Sequence, residues 1–238
     1  YYCSMKKLSL VLLFFPFFLF SQSEIKLETD LKNYEKYMPT SECGEIIHYN
    51  YYSVSFCEDD RISEWAIYYM TPDRIGTSKR TNDFRQDINL NQRDASLEDY
   101  KGSGFDRGHL VPAADMSLDK ERMSQSFLMT NITPQEPSFN RGIFKTLESQ
   151  VRSWIYDFDT IVVITGCVDT SSKHQTIGDG EVVVPNFFYK IFVDIKRNRS
   201  IAFILPNKKL LPIPQCPYIP IVIGNAIFLS NTKDPNAF

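Results

Sequence analysis

The stretch Gly104–Met116 reads GFDRGHLVPAADM and places one of only three histidines of the chain, His109, at the end of an extended segment. The charged pair Asp106 and Arg107 precedes it, and an apolar run begins at Leu110. A neutral imidazole has an ordinary pKa of about 6.5 and can accept a proton from water at neutral pH. Taken alone, His109 could equally be a hydrogen-bonded structural residue, so its role depends on the segments that follow.

Those segments predict a strand, a second strand and then a helix. The run SFLMTNITP, Ser126–Pro134, is typical of a strand that ends at its proline. Over Ser138–Ile155 apolar residues recur at intervals of three or four, which indicates a helix with one apolar stripe. Asn140 stands at the start of this helix, where asparagine is a favoured cap. Its side-chain carbonyl could also hold a hard cation if carboxylates and substrate phosphate help.

The rest of the chain favours strands. Aromatic and β-branched residues over Ile46–Phe56 and Trp65–Met70 predict an antiparallel pair. Three later runs, TIVVITG, EVVVPNFFYKIFVDI and SIAFILPN, predict further strands. Residues Glu24–Tyr37 are compatible with a short leading helix or a loosely packed arm. The predicted class is α+β with a large, mainly antiparallel sheet.

The N-terminal residues have the pattern of a secretory signal. Met5 and two lysines precede the apolar run Leu8–Phe20, and small residues follow it. The run is shorter than the roughly 20 residues that span a bilayer, although an uncleaved anchor is the alternative. We therefore expect a signal peptide over 5–23, a single domain over 24–238, a secreted or periplasmic protein and no membrane contact after cleavage.

Cysteine usage agrees with export. Beyond Cys3 the chain contains Cys43, Cys57, Cys167 and Cys216. An even number in an exported chain suggests two disulfides, and four cysteines allow three connectivities. We expect Cys43 to pair with Cys57 across a strand-rich run and Cys167 to pair with Cys216; four free thiols are the alternative. No Cys-x-x-Cys spacing occurs, which argues against a zinc site.

Length and charge set broad limits. The chain has 238 residues and a formal net charge of −3. This length is compatible with one α+β domain that has a sizeable core. A nucleic-acid partner would have to be met by a local basic patch, since the overall charge is slightly negative.

Several motifs in order resemble the DNA/RNA non-specific endonucleases of the ββα-metal (His-Me finger) type. They are DRGH at Asp106–His109, TNITPQ at Thr130–Gln135 and FNRGIFKTLE at Phe139–Glu148, with an eight-residue spacing from Asn140 to Glu148. The resemblance covers roughly Tyr49 to Asn207, and the ordered set is far more specific than DRGH alone. It implies a ββα-metal nuclease fold with a central, mainly antiparallel sheet flanked by helices.

The resemblance also implies the chemistry of the site. His109 matches the general base that deprotonates the attacking water, and Asn140 matches the protein ligand of a single Mg²⁺, with Mn²⁺ as an alternative ion. Glu148 matches a residue that orients a metal-bound water. In a straight helix, eight residues give a rise of about 12 Å and an angular offset of about 80°. An exposed Glu148 that pairs with Arg152 on the next turn is the alternative.

Two arginines and one asparagine complete the implied site. Arg107 of the motif and Arg80 match arginines that contact phosphate or the developing charge, although Arg85 lies close to Arg80 and makes that match looser. Asn131 matches an asparagine that supports the site. Four further basic residues could contact phosphate, although scattered basic side chains are more often part of the solvated surface. These are Lys79, Lys101, Arg141 and Lys145.

The implied function is hydrolysis of DNA and RNA backbones without sequence preference, leaving 5′-phosphate ends, by a secreted enzyme that could form a homodimer. An inactive relative that binds nucleic acid or protein, and a metal phosphodiesterase for small substrates, are the alternatives. Two departures from the family pattern stand out. Phe144 replaces a usual tryptophan, and the C-terminal segment from Ile219 lacks the expected pattern, which puts stability or dimerisation in question.

Overall fold

A central sheet of eight strands organises the fold. The computed structural model describes residues 30–209 and the backbone of 218–223 and 226–231. Its strands are β1 (Glu45–His48), β2 (Ser53–Cys57), β3 (Ile62–Met70), β4 (Asp106–His109), β5 (Ile132–Gln135), β6 (Ile161–Val168), β7 (Thr176–Ile177), β8 (Val182–Val183), β9 (Phe187–Asp194), β10 (Arg199–Pro206), β11 (Tyr218–Ile223) and β12 (Ala226–Asn231). The large sheet has the order β1-β2-β3-β6-β9-β10-β12-β11. All its neighbours are antiparallel except β10 and β12, so the predicted α+β class with a mainly antiparallel sheet is confirmed.

Two short hairpins lie outside this sheet. One is formed by β4 and β5 and the other by β7 and β8. The α-helical segments are α1 (described over 30–34), α2 (Leu97–Tyr100), α3 (Lys120–Gln125), α4 (Pro137–Phe139) and α5 (Lys145–Phe158). A π-helical segment, Asn140–Phe144, joins α4 to α5. The β4–β5 hairpin and the α4–α5 helix are the parts that carry the site.

The packing of α5 on the sheet follows from two periodicities. Leu147, Val151 and Ile155 recur every four residues and are the buried face of α5. On β9, buried and half-buried side chains alternate strictly, which turns Phe188 and Phe192 toward this core. Fully burying each of these side chains contributes about 1.5–3 kcal/mol. The helix that starts at the site is therefore fixed to the central strands.

The opposite face of the sheet is covered by the N-terminal segment. Tyr34 of α1 packs with Trp65 and its neighbours on β3 and β6. Its hydroxyl lies 3.1 Å from Ser53 Oγ, and Trp65 Nε1 donates to the carbonyl of Thr40 at 3.1 Å. The leading helix predicted within Glu24–Tyr37 is therefore found over residues 30–37, whose last turn is a 3₁₀ helix.

Three predicted elements have different boundaries. The predicted strand Ile46–Phe56 is split into β1 and β2 by a turn in which Tyr49 N donates to Tyr52 O at 2.9 Å. Residues 126–131 form a turn and a 3₁₀ helix, so only β5 remains of the strand predicted over Ser126–Pro134. The run from Glu181 to Ile195 is interrupted over 184–186, where Pro185 cannot donate to a ladder.

The cysteine predictions have mixed outcomes. Cys43 and Cys57 form the expected disulfide. The predicted partnership of Cys167 with Cys216 is wrong for this structure, because Cys167 is a free thiol that donates to the carbonyl of Ser63 at 3.3 Å. Burial raises the pKa of the Cys167 thiol. Cys216 itself lies outside the described residues, as do the predicted signal peptide and part of the atypical C-terminal segment.

No helix within the described ranges combines the length and the apolar character that crossing a membrane requires.

Candidate active site

The β4–β5 hairpin places His109 at the end of a short antiparallel ladder. His109 is opposite Ile132, and Gly108 is opposite Thr133. A Cβ on Gly108 would lie 2.0 Å from the side chain of Gln135, which is fully buried, so the motif needs glycine at this position. The α4–α5 helix follows β5 directly. The predicted order of strand, strand and helix around His109 is confirmed.

His109 lies in an aromatic pocket. Its ring centroid is 5.5 Å from that of Phe84 and 4.9 Å from that of Phe127. The residue is 9% exposed, and its buried Nε2 has no hydrogen-bond partner among the described residues. Burial, followed by the positive charges of Arg80 and Arg107, lowers the pKa of His109 to about 3. The imidazole is therefore neutral at physiological pH and free to accept a proton.

Both predicted arginines lie against the same aromatic pair. The Arg80 guanidinium is 4.7 Å from the ring centroid of Phe127, and that of Arg107 is 4.3 Å from Phe84. Such stacking orients a guanidinium while leaving its edge free to donate to an oxyanion. The side chains of both arginines are exposed at the surface. Two cations therefore flank one neutral histidine.

Arg85, the other candidate near Arg80, is used differently. Its guanidinium donates to Asp83 Oδ2 at 3.1 Å and to the carbonyl of Ser124 at 2.9 Å. Its backbone also pairs with the segment around Leu128. The structure thus brings Arg80, and not Arg85, to His109.

Asn140 is oriented by the first residue of the DRGH motif. Its Nδ2 donates to Asp106 Oδ2 at 2.9 Å, and Arg141 Nε donates to the same oxygen at 2.7 Å. These bonds and the two positive charges hold the pKa of Asp106 below its usual range, although its partial burial acts in the opposite direction. Because the amide nitrogen is engaged, the carbonyl oxygen of Asn140 is the free end of the side chain. Arg141, considered above as a phosphate contact, instead forms an ion pair with Asp106.

A kink separates Asn140 from Glu148. The π-helical segment contains Gly142 with φ −102° and ψ −110°, values outside the helical region. The angle of about 80° between Asn140 and Glu148, calculated for a straight helix, is therefore wrong, because the kink changes the direction of the first turn relative to α5. Glu148 is half-buried near the start of α5.

Glu148 belongs to a buried charge cluster. Burial raises its pKa, while the nearby positive charges of Lys190, Arg152 and Arg80 act against that rise. Arg152 donates to Asp115 Oδ1 at 2.6 Å, and so the alternative pairing of Glu148 with Arg152 on the helix surface is wrong. Glu148 has no hydrogen bond or ion pair within the described ranges, so its carboxylate remains available to a water or cation.

Lys190 connects this cluster to the DRGH segment. Its side chain is buried in the middle of β9, and Nζ donates to Thr165 Oγ1 at 2.6 Å and to the carbonyl of Leu110 at 3.5 Å. The ammonium also lies 4.8 Å from the ring centroid of Phe144. Leu110 directly follows His109 in the chain, so Lys190 positions the backbone beside the histidine and balances the charge of Glu148.

Asn131 is a positioning residue. It is fully buried, and its Oδ1 accepts from Val111 N at 2.9 Å. Its Nδ2 donates to the carbonyls of Val111 at 2.9 Å and of Ser126 at 2.8 Å. Leu110 N also donates to the backbone carbonyl of Asn131 at 3.0 Å. The residue fixes the chain after His109 to the start of β5.

The donor set fits a hard divalent cation. Asn140 offers a free amide oxygen, and Glu148 an unpaired carboxylate for a water-mediated contact. A single protein ligand is compatible with Mg²⁺, which retains several waters and takes substrate phosphate. The cluster of Cys43, Cys57 and Asp60 is the only group of three or more acidic, cysteine or histidine ligands found in the described residues, and its thiols are joined in a disulfide.

Sequence reasoning missed some supporting residues. The sequence did not predict a role for Asp106, although it is the first residue of the DRGH motif, or for Lys190. The alternation of β9 contained a usable signal, because Lys190 stands between the two inward phenylalanines of FFYKIF. A lysine at an inward position predicts a buried counter-charge. Nothing comparable marked Phe84 and Phe127 as the pocket of His109.

Comparisons with known proteins agree with this geometry. A sequence model described as DNA/RNA non-specific endonuclease matches residues 30–223. Nuclease C1 of Cunninghamella echinulata var. echinulata is 32% identical over 176 residues, which cover 67% of this chain and 70% of that protein. Human endonuclease G, mitochondrial, is 33% identical over 172 residues, covering 65% of this chain and 58% of that protein.

Structural comparison gives the same result. A chain in the crystal structure of the EndoG/EndoGI complex superposes with a TM-score of 0.70 and 25% identity, and the match covers 77% of this chain and 83% of that one.

Nuclease EXOG of Mus musculus, mitochondrial, is 27% identical over 184 residues, and the match covers 50% of its length. This chain therefore spans between 47% and 70% of the length of the curated relatives considered.

Proposed function

The chain belongs to the DNA/RNA non-specific endonuclease family, and from this membership we propose that it hydrolyses phosphodiester bonds of both DNA and RNA with a single Mg²⁺ and His109 as general base. The observation that carries the proposal is the neutral His109, flanked by Arg80 and Arg107, on a hairpin whose Asp106 holds Asn140. This set contains a proton acceptor, two phosphate-binding cations and a metal ligand. A protein that only bound nucleic acid would need no such proton acceptor.

The residues divide the reaction between them. His109 takes a proton from the attacking water as the oxygen bonds to phosphorus. Arg80 and Arg107 donate to the non-bridging oxygens and stabilise the added negative charge. A bound phosphate offsets the charges of these arginines, which raises the proton affinity of His109 when substrate is present.

The metal site lies at the other end of the reacting phosphate. Asn140 would hold the cation through its carbonyl oxygen, and Glu148 would orient a water of its hydration shell. The bound cation supplies neutralisation of the phosphate and of the leaving 3′ oxygen. Breaking the bond to the 3′ oxygen leaves a 5′-phosphate and a 3′-hydroxyl. Because all these contacts address the backbone, the enzyme accepts either sugar and any sequence.

The test is cleavage of plasmid DNA and of a structured RNA by the purified protein, with Mg²⁺ or with EDTA. His109→Ala is compared with His174→Ala, a matched change at an exposed histidine that pairs with Asp169. We expect loss of both polymers only with Mg²⁺, abolished by His109→Ala and retained by His174→Ala. The DNA products should carry 5′-phosphate ends, so a ligase should join them without prior phosphorylation by a kinase. A folded wild-type protein that leaves both polymers intact with Mg²⁺ present contradicts the proposal.

Export through the N-terminal segment is part of the proposal. The Cys43–Cys57 disulfide supports it, because such bonds persist mainly in oxidising compartments. The test is the N-terminal sequence of the protein recovered from its natural compartment. A start near Glu24 in the medium or periplasm is expected, and an intact N-terminus in the cytosol contradicts it. Assembly as a homodimer stays a prediction.

A further inference from the structure

A groove opens beside the DRGH hairpin, outside the residues used above. Its volume is about 760 Å³, and the loops that follow β6 and β10 and precede β9 line it. Phe105, directly before Asp106, and Glu136, directly after Gln135, form its near edge. This volume falls in the range of about 300–1,000 Å³ that is usual for sites of drug-sized ligands, the size class of a nucleotide.

The groove has rigid walls. Asn207 Nδ2 donates to the carbonyls of Pro134 at 3.0 Å and Pro185 at 2.8 Å, and its Oδ1 accepts from Glu136 N at 2.8 Å. Beside it, Asn207 N donates to the carbonyl of Asn186 at 2.8 Å, and Asn186 Nδ2 donates to Thr170 Oγ1 at 3.1 Å. These bonds join the end of β5 to the loops after β6 and β10. The groove is therefore a preformed feature of the fold.

The lining combines aromatic rings with positive charge. Phe105 and Phe187 are half-buried, and each contributes a side chain to the surface of the groove. Lys173 and Lys208 are exposed and carry the positive charges of the lining. Aromatic faces that stack unpaired bases, beside lysines that follow the backbone, are the combination that binds single-stranded nucleic acid.

One acidic side chain, Glu136, also lies in the lining. The Glu136 carboxylate accepts from Ser138 Oγ and, at 2.8 Å, from Phe139 N, and so caps the helix that follows. These bonds hold the pKa of Glu136 below its usual range, although burial acts the other way. The carboxylate therefore stays ionised, and the two lysines leave the lining with one net positive charge.

The groove continues from the metal-binding end of the site. Phe105 is bonded to Asp106, whose carboxylate accepts from Asn140 at 2.9 Å. Asn140 N also donates to the carbonyl of Glu136, at the edge of the groove, at 2.9 Å, so a strand whose scissile phosphate lay at Asn140 would have its neighbouring nucleotides beside the groove. A duplex could not enter without separating its strands, because the rings need an exposed base face.

We propose that this groove is a subsite for an unpaired stretch of DNA or RNA beside the scissile phosphate, with bases on Phe105 and Phe187 and backbone phosphate on Lys173 and Lys208. It deepens and rests on the nuclease function proposed above. Such a subsite would make unpaired segments better substrates than duplex segments.

Binding and cleavage test the subsite separately. The binding probes are a fluorescent seven-nucleotide oligothymidylate and a twelve-base-pair duplex, each measured in EDTA at several salt concentrations. The variants are Phe105→Leu, which retains bulk, and the double change Lys173→Ala with Lys208→Ala. The matched control is Lys36→Ala with Lys196→Ala, which removes two exposed charges that do not line the groove. Thermal unfolding midpoints equal to the wild-type value establish that the variants fold.

The expected changes are specific to the single strand. Phe105→Leu should weaken oligothymidylate binding by between about fivefold and a hundredfold, the range for one lost stacking contact, and leave duplex binding unchanged. The double lysine change should make the slope of log affinity against log salt shallower by about 1.4, since each single-strand phosphate contact contributes about 0.7. In cleavage of the same oligonucleotide with Mg²⁺, KM should rise while kcat stays constant.

Two outcomes overturn the subsite: groove variants that bind and cleave like the lysine control, or variants that lose duplex and single-strand affinity equally. These results are distinct from failure of the nuclease proposal. If the wild-type protein cleaves nothing but its single-strand affinity depends on the groove residues, the subsite stands and the hydrolytic function does not. If the wild-type protein cleaves and the groove variants match the control, the reverse holds.

Discussion

Acid should destabilise this protein through His109 in particular. The imidazole is buried between two aromatic rings and two arginines, which lower its pKa to about 3 from an ordinary value of 6.5. Between these two values the unfolded chain binds a proton that the folded chain does not. The free energy of unfolding therefore falls as the pH drops through this window, and the full contribution is present only above pH 6.5.

The magnitude follows from the two pKa values. Between pH 7 and pH 4 the linkage removes about 3 kcal/mol from the free energy of unfolding, and a folded pKa one unit higher lowers this by less than about 0.5 kcal/mol, because pH 4 would still not lie below the folded pKa. The assay is urea unfolding of the wild-type protein and of His109→Asn at both pH values. The cavity left by asparagine lowers stability equally at both, and the carboxyl groups titrate in both proteins.

The comparison of the two proteins thus isolates one group. We expect the wild-type protein to lose about 3 kcal/mol more than His109→Asn between pH 7 and pH 4. Equal losses would mean that the imidazole is solvated or paired in the folded state, and would refute the burial on which the neutral-base argument depends.

Four further changes have separate readouts. Asn140→Ala should abolish Mg²⁺-dependent cleavage and weaken Mg²⁺ binding measured by calorimetry, with an unchanged urea midpoint; retained binding would contradict its role as ligand. Asp106→Asn should raise the Mg²⁺ concentration needed for half-maximal cleavage, because the bonds that orient Asn140 and neutralise Arg141 are weakened; an unchanged titration would refute this. Asn131→Ala should lower the free energy of unfolding by about 1–3 kcal/mol for each buried backbone group that it leaves unpaired, whereas a loss below 1 kcal/mol in urea unfolding would show that water replaces the amide. Replacing Cys43 and Cys57 by serine should lower that free energy by about 3 kcal/mol for a loop of this length, with plasmid cleavage unaffected; an enzyme that loses cleavage while folded would link the disulfide to the site.

The elements that follow a regular period were predictable from the sequence. The stripe of α5 and the later strands β6, β9 and β10 lie where the periodicity places them, because tertiary packing there reinforces the local pattern. The ordered motifs also placed His109, Asn140 and Glu148 on the correct hairpin and helix. The choice between Arg80 and Arg85 was open in the sequence, and only the stacking of Arg80 on Phe127 distinguishes the two.

Features that depend on contacts between distant segments were not predictable. The turn between β1 and β2 lies in a run of tyrosines that favours a continuous strand, and the 3₁₀ turn before β5 forms because Asn131 bonds to Val111 and Ser126. The bond from Asp106 to Asn140 joins residues 34 positions apart. Local propensity contains no information about such pairs, and so the kink at Gly142 was also missed.

The β4–β5 hairpin shares no backbone ladder with the eight-stranded sheet. Its connection to the sheet runs through side chains such as Lys190, which reaches Leu110 from β9. The register that places His109 opposite Ile132 therefore does not depend on the hydrogen bonds that set the order of the outer strands. The same hairpin and helix could be inherited as a unit on quite different supports, provided that each one supplies an inward cation where Lys190 stands.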